Sequence, residues 1–176
     1  EDRRDLPQVR RIEFEGLKLL DADDLKETLT TREQRFRWFS KAPLDEEVLK
    51  EDLERLDRYI VSQGFYHGRV VSHEVVPVSG KVVRLVIRIE EGPPMVVSAL
   101  DLTVDGAPNG YFADEVRKVL PLGPGKRFTT PAYTETERAA LRYFADRGHP
   151  KAKIDMRARL DKRTNEARVT VNLDPG

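Results

Sequence analysis

The chain repeats itself, and this limits its fold more than any other feature. Val9-Arg10-Arg11-Ile12-Glu13-Phe14-Glu15-Gly16 is echoed by Ala99-Leu100-Asp101-Leu102-Thr103-Val104-Asp105-Gly106, with the two glycines 90 residues apart. Before each glycine the apolar residues alternate, Ile12 with Phe14 and Leu102 with Val104, as in a half-buried strand that ends in a turn. Two consecutive units of this kind must each close their own core.

A short helical pattern follows each strand: Leu25 with Leu29, and Val116 with Leu120, both spaced i, i+4. Asp21 suits the N-cap of the first, and Pro121 stops the second. A longer helix comes next in both units. Val48, Leu49, Leu53, Leu56 and Ile60 form one apolar stripe, with Glu51/Arg55 and Glu54/Arg58 predicted to pair on the solvent side. Asp45 is its expected cap, and Gly64 suits the C′ position. In the second unit Thr130 is the expected cap, Pro131 opens the helix, Tyr133, Ala140 and Phe144 face inward, and Gly148 ends the run.

Gly64 and Gly148 are 84 residues apart, and that offset persists to the end of each unit. Leu85, Ile87 and Ile89 map onto Val169, Val171 and Leu173, and Gly92 maps onto Gly176. Val70 to Val78, and Ile154 to Leu160, fill the space between helix and last strand and predict hairpins through Ser79-Gly80 and through residues 161–166. Ile154, Met156, Ala158 and Leu160 alternate cleanly. The counterparts Val70, Ser72, Glu74 and Val76 compete with the more apolar set Val71, His73 and Val75, which predicts either a bulge or a strand with both faces partly covered. Pro77 places that strand at a sheet edge, because proline cannot donate to a ladder. The expected class is α+β: two consecutive β-α-α-β-β units, residues 6–94 and 95–176, each a three-stranded mixed sheet with two helices on one face. Gly92-Pro93-Pro94-Met95-Val96 reads as a short, stiff junction.

Composition removes several function classes. Lysine and arginine together number 31, as do aspartate and glutamate, so a dedicated nucleic-acid binder resting on a basic surface is not expected. The division is slightly uneven: residues 1–94 carry 17 basic and 20 acidic side chains, net −3, and the rest are net +3. Without cysteine there is neither a disulfide scaffold nor a thiolate metal site. His67, His73 and His149 lack zinc-ligand spacing, so no metal and no cofactor are expected. Leu122-Gly123-Pro124-Gly125-Lys126 lacks P-loop spacing, and no Gly-x-x-Gly clamp of the KH type lies between helices. The acidic residues fall mostly on helix surfaces and in turns, so no catalytic residue is assigned and the chain reads as non-enzymatic. No run approaches the roughly 18 to 20 apolar residues of a membrane-spanning helix, and Glu1-Asp2-Arg3-Arg4-Asp5 lacks a signal-peptide core.

The units resemble POTRA (polypeptide-transport-associated) domains. The resemblance rests on Glu15-Gly16 closing the first strand, Tyr59-Ile60-Val61-Ser62-Gln63-Gly64-Phe65-Tyr66 closing the long helix, and Glu90-Glu91-Gly92-Pro93 closing the last strand. Phe36-Arg37-Trp38-Phe39, followed by Pro43-Leu44-Asp45 to Leu56, is similar to the BamA/TamA branch of outer-membrane assembly factors. Arg147-Gly148-His149-Pro150 departs from the pattern, which more often has an aromatic after the glycine. The resemblance implies an excised, monomeric periplasmic fragment of a Gram-negative outer-membrane protein whose C-terminal β-barrel is absent here. It implies as partners unfolded outer-membrane protein precursors and accessory periplasmic or lipoprotein assembly factors. A transporter of the two-partner secretion type with one dedicated substrate, and a structural spacer or divisome-type module, are the alternatives.

A client class defined by strand-forming capacity suits binding through backbone. The expected receiving edges are Val71 to Val78, with Val71, His73, Val75 and Val76, and Ile154 to Leu160, with Ile154, Asp155, Arg157 and Arg159. Lys153, Arg157 and Arg159 also look like charges that block unwanted pairing. The loop with Phe36, Trp38 and Phe39 among Arg35, Arg37 and Lys41 is the second candidate surface, because Trp and Arg are enriched at interface hot spots.

Overall fold

Val9 and Ile12 are both buried although they are three residues apart, which a regular strand cannot achieve. A register shift between Val9 and Arg11 resolves this: one extra residue in strand β1 (Gln8–Glu15) turns both side chains to the same face. The computed structural model describes residues 5–35, 41–106 and 111–176.

Helix α1 (Ala22–Thr28) is capped as expected, Asp21 Oδ1 accepting the amides of Asp23 (2.8 Å) and Asp24 (3.3 Å). It buries Leu25, with Leu29 just beyond its end. Helix α2 (Glu46–Ser62) starts on Asp45, whose Oδ1 accepts the amides of Glu47 and Val48. Leu49, Leu56 and Ile60 are buried along its inner stripe, and Val48 and Leu53 are half-buried. The expected Glu51/Arg55 surface pair is replaced: Arg55 turns to Asp52, 2.7 Å away, which is fully buried in that stripe. Strand β2 (Arg69–Ser79) and strand β3 (Val82–Glu90) form the hairpin, and the sheet order is β1-β3-β2. β3 pairs parallel with β1 and antiparallel with β2, and as the central strand it buries Leu85, Ile87 and Ile89. The competing alternations in β2 are bulges, at Val71 and at Val78.

The second unit repeats this order. Strand β4 (Val96–Val104) carries the same early bulge, between Val97 and Ala99. Helix α3 (Tyr111–Val119) buries Val116, and helix α4 (Thr130–Ala145) buries Ala140, Tyr143 and Phe144. The cap of α4 is Thr129, whose hydroxyl accepts the Ala132 amide at 3.1 Å, so the expected cap Thr130 is already helical and Pro131 lies in the first turn. Strand β5 (Lys153–Asp161) and strand β6 (Glu166–Asp174) complete a sheet of order β4-β6-β5. Ala167, Val169, Val171 and Leu173 of β6, with Val97, Leu100 and Leu102 of β4, form the sheet's share of one core, which Tyr133, Ile154, Met156 and Leu160 flank. Each unit is thus a three-stranded mixed sheet with two helices. The described residues up to Val61 together with His67–Gly92 make one compact unit, and Ser62–Tyr66 with the described residues from Pro93 onward make the other.

Candidate functional site

An open three-stranded sheet has two edges, and in this topology the first and second strands of each unit supply them. Their outward backbone groups meet different fates. Along β1 the Val9 amide donates to the Ala42 carbonyl (2.7 Å), and the Val9 carbonyl accepts from the Gln34 amide (2.8 Å). The Gln8 side-chain oxygen accepts the Ala42 amide at 2.8 Å, and the Ile12 amide donates to Glu33 Oε1 at 2.8 Å. Burial would raise the Glu33 carboxyl pKa, but the Ile12 amide and the Lys26 ammonium, 2.9 Å away, more than offset this and hold it below its ordinary value. The chain between α1 and α2 therefore covers the first half of the β1 edge.

The β4 edge is covered in a similar way. The Val97 amide donates to the Lys126 carbonyl and the Val97 carbonyl accepts from the Gly125 amide, both at 2.8 Å. The Met95 carbonyl accepts from the Phe128 amide, and the Arg117 guanidinium donates to the Leu100 carbonyl at 3.0 Å.

β2 is different. Its opening residue is tied, with the Val70 amide donating to Asp57 Oδ1 at 2.7 Å. Among the described residues, no backbone group bonds to the outer side of the strand from Val71 to Ser79. Three large apolar side chains are also exposed there: Val71 at 47%, Val75 at 38% and Val78 at 46%. Edge strands usually carry charge or are covered, and these valines depart from that rule. His73 and Val75 pair with Ile87 and Leu85 and face the α2 side of the sheet. There they line a groove of about 990 Å³ with Leu6, Leu44, Leu49 and Leu53, and with Glu46 and Glu47 of the α2 first turn. Val76, half-buried, lies opposite Arg84 on the other face.

Among the described residues β5 is equally unpaired on its outer side but is chemically guarded. Ile154 and Met156 turn inward, while Lys153, Asp155, Arg157 and Arg159 are exposed, Arg157 pairing with Asp155 at 3.3 Å. The aromatic candidates Phe36, Trp38 and Phe39 lie outside the described residues. Among the described residues no group of three or more His, Asp or Glu side chains is placed to hold a metal ion.

Sequence reasoning found the edges but missed two buried carboxylates that support the loops beside them. Asp52 accepts the Thr30 and Thr31 amides at 2.7 and 2.8 Å. Glu91, almost completely buried, accepts the amides of Lys18, Leu19 and Leu20 at 2.8 to 3.1 Å. An acidic residue on an otherwise apolar helix face was the available signal for Asp52; nothing local distinguished Glu91 from Glu90.

Two consecutive three-stranded mixed sheets, each with two helices, define a tandem α+β module. The family model POTRA, described as a surface antigen variable number repeat, matches residues 7–92 and 101–176, and the chain belongs to that family. Among solved structures it is similar to the third to fifth POTRA domains of Haemophilus influenzae BamA, with 17% identity and a TM-score of 0.48 over 97% of this chain and 66% of that one. It is also similar to POTRA domains 1–2 of Omp85 from Anabaena, with 15% identity and a TM-score of 0.40 over 97% of this chain and 94% of the other. A third similar structure is CdiB from Escherichia coli, with 14% identity and a TM-score of 0.37; the chain covers 26% of that protein's length. Among curated proteins there is no sequence match.

Proposed function

We propose that this chain is a non-catalytic periplasmic scaffold of an outer-membrane β-barrel assembly factor, and that it receives extended, strand-forming segments of unfolded barrel precursors on the β2 edge. The observation that carries the reading is the contrast between edges. Among the described residues β1 and β4 are covered along their first halves, β5 is guarded by charge, and β2 is uncovered from Val71 to Val78 with three valines exposed on it. An added strand gains main-chain hydrogen bonds with little demand on its sequence, and its alternate side chains enter the groove beside α2. Membership of the POTRA family supports the scaffold role, and the periplasmic Omp85 domains among its structural neighbours point to the same compartment. Accessory assembly proteins are proposed to use other surfaces of the same units.

The test is an NMR titration of the chain with a peptide copied from an outer-membrane barrel strand. Amide shifts concentrated at 71–79, and lost in a Val71→Lys/Val75→Lys variant, are expected. Shifts confined to residues 36–39, or none at millimolar peptide, would remove the β2 edge from consideration.

A further inference from the structure

We propose that the open face of the second sheet carries a binding site for a phosphate-class oxyanion, gripped jointly by the guanidinium groups of Arg159 and Arg168. The site lies on a sheet face and not along a bare edge, so it stands whether or not β2 receives a chain.

The two arginines are directly opposite each other in the antiparallel β5–β6 pair. Arg168 stands between Ala167 and Val169, both fully buried, so alternation turns it to the face away from the core; Arg159 precedes the inward Leu160 and shares that face. Opposed residues have Cβ atoms about 5 Å apart, and like charges so placed repel. Among the described residues neither arginine side chain has an ion pair or a hydrogen bond.

The first unit shows how a sheet normally manages this position. Both first strands carry the same bulge, so Arg11 opposite Arg84 corresponds to Ala99 opposite Arg168. In the first unit Arg84 faces Val76 on its other side, and Glu13 lies 3.8 Å from Arg84 and 3.7 Å from Arg11. Its neighbour Arg88 is matched by Glu15 at 2.9 Å. In the second unit the residue corresponding to Glu13 is Asp101, one methylene shorter and in no described ion pair, while Val76 is replaced by Arg159. Each unit thus sets two arginines at this spot, Arg11 with Arg84 and Arg159 with Arg168, but only in the first does a carboxylate bridge the two.

The pair borders a hollow of about 670 Å³ that also takes in Ser98, Asp161, Lys162 and Glu166. The two acids there are engaged elsewhere. Asp161 accepts the Arg163 and Thr164 amides at 2.9 and 3.3 Å and pairs with the Arg163 side chain, and Glu166 accepts the Thr164 hydroxyl. Lys162 stands 5.7 Å from the Tyr66 ring centre and adds a third cation. A carboxylate saturates one guanidinium fork with its two oxygens, whereas a tetrahedral phosphate can accept from two forks at once and carries charge enough to offset their repulsion. The hollow leaves room for the remainder of a phosphate ester, whether soluble or a lipid headgroup.

The probes are inorganic phosphate and vesicles of phosphatidylglycerol or phosphatidylcholine, applied to the 176-residue chain. The side-chain Nε–Hε resonances of Arg159 and Arg168 should shift saturably with phosphate and not with chloride at matched ionic strength, while that of Arg163 stays in place. Arg159→Val, which restores the first unit's residue, should weaken phosphate binding at least tenfold, and Arg159→Val/Arg168→Gln should abolish it. Phosphate should also raise the melting temperature of the parent chain and not that of the double variant. Retention on phosphatidylglycerol vesicles that is lost in the double variant identifies a headgroup source; a phosphate response without retention identifies a soluble ester. A response shared with Arg163, reproduced by chloride or unchanged in the double variant overturns the proposal.

Discussion

Gly16 lies directly beneath the carbonyl of Ile89: a Cβ built on the glycine would stand 2.1 Å from that oxygen, with the backbone at φ +86°. The repeat supplies its own control, because Gly106 has a comparable φ of +68° and, among the described residues, no atom within 4 Å of the same construction. Gly16→Ala should therefore destabilise the first unit by at least about 3 kcal/mol, as strain and a backbone clash combine. Gly106→Ala should cost only about 1 kcal/mol, from the left-handed backbone alone. Urea unfolding of the two variants checks the difference.

Asp52 anchors the segment that covers the β1 edge, because its carboxylate is the acceptor for both Thr30 and Thr31 amides. Replacing it with Ala leaves two amides without their acceptor and Arg55 without its carboxylate, though Arg55 keeps the Thr28 carbonyl and the Thr30 hydroxyl. The expected cost is about 3 kcal/mol. Amide exchange at Thr30 and Thr31 should accelerate more than at the α1 cap, which Asp21 holds separately.

Glu91 does the same for the turn after β1. Glu91→Ala should cost about 2 to 3 kcal/mol and release Leu19, which is 59% exposed at the tip of that turn. Hydrogen exchange at Lys18, Leu19 and Leu20 reports the loss; unchanged protection there would show that the turn is held by other groups.

Glu33 makes the same edge sensitive to acid. Its folded-state pKa is depressed below the ordinary value of 4.5, so its stabilising effect is complete above that value and is lost as pH falls through the depressed one. Amide exchange at Ile12 should therefore rise below about pH 4.5, once intrinsic exchange is corrected for, while Glu33→Gln shows faster exchange already at neutral pH and a flatter profile.

Periodicity and repetition by themselves determined the two-unit β-α-α-β-β plan, because side-chain spacing and turn residues act locally: Leu85, Ile87 and Ile89 alternate whatever lies beyond them. The conflict between Val70 and Val71 as the first inward residue of β2 was visible too, and Pro77 placed that strand at an edge. The sequence could not show that β1 and β4 are edges already covered along their first halves, because Ala42, Gln34, Lys126 and Gly125 reach Val9 and Val97 only through the tertiary fold. Nor could it separate Asp52 and Glu91 from the many solvated acids around them, since burial of a carboxylate depends on amides brought from 21 to 73 residues away. The same holds for Arg159 and Arg168. Their opposition depends on strand register, which hydrogen bonding between strands decides and a one-residue slip would undo.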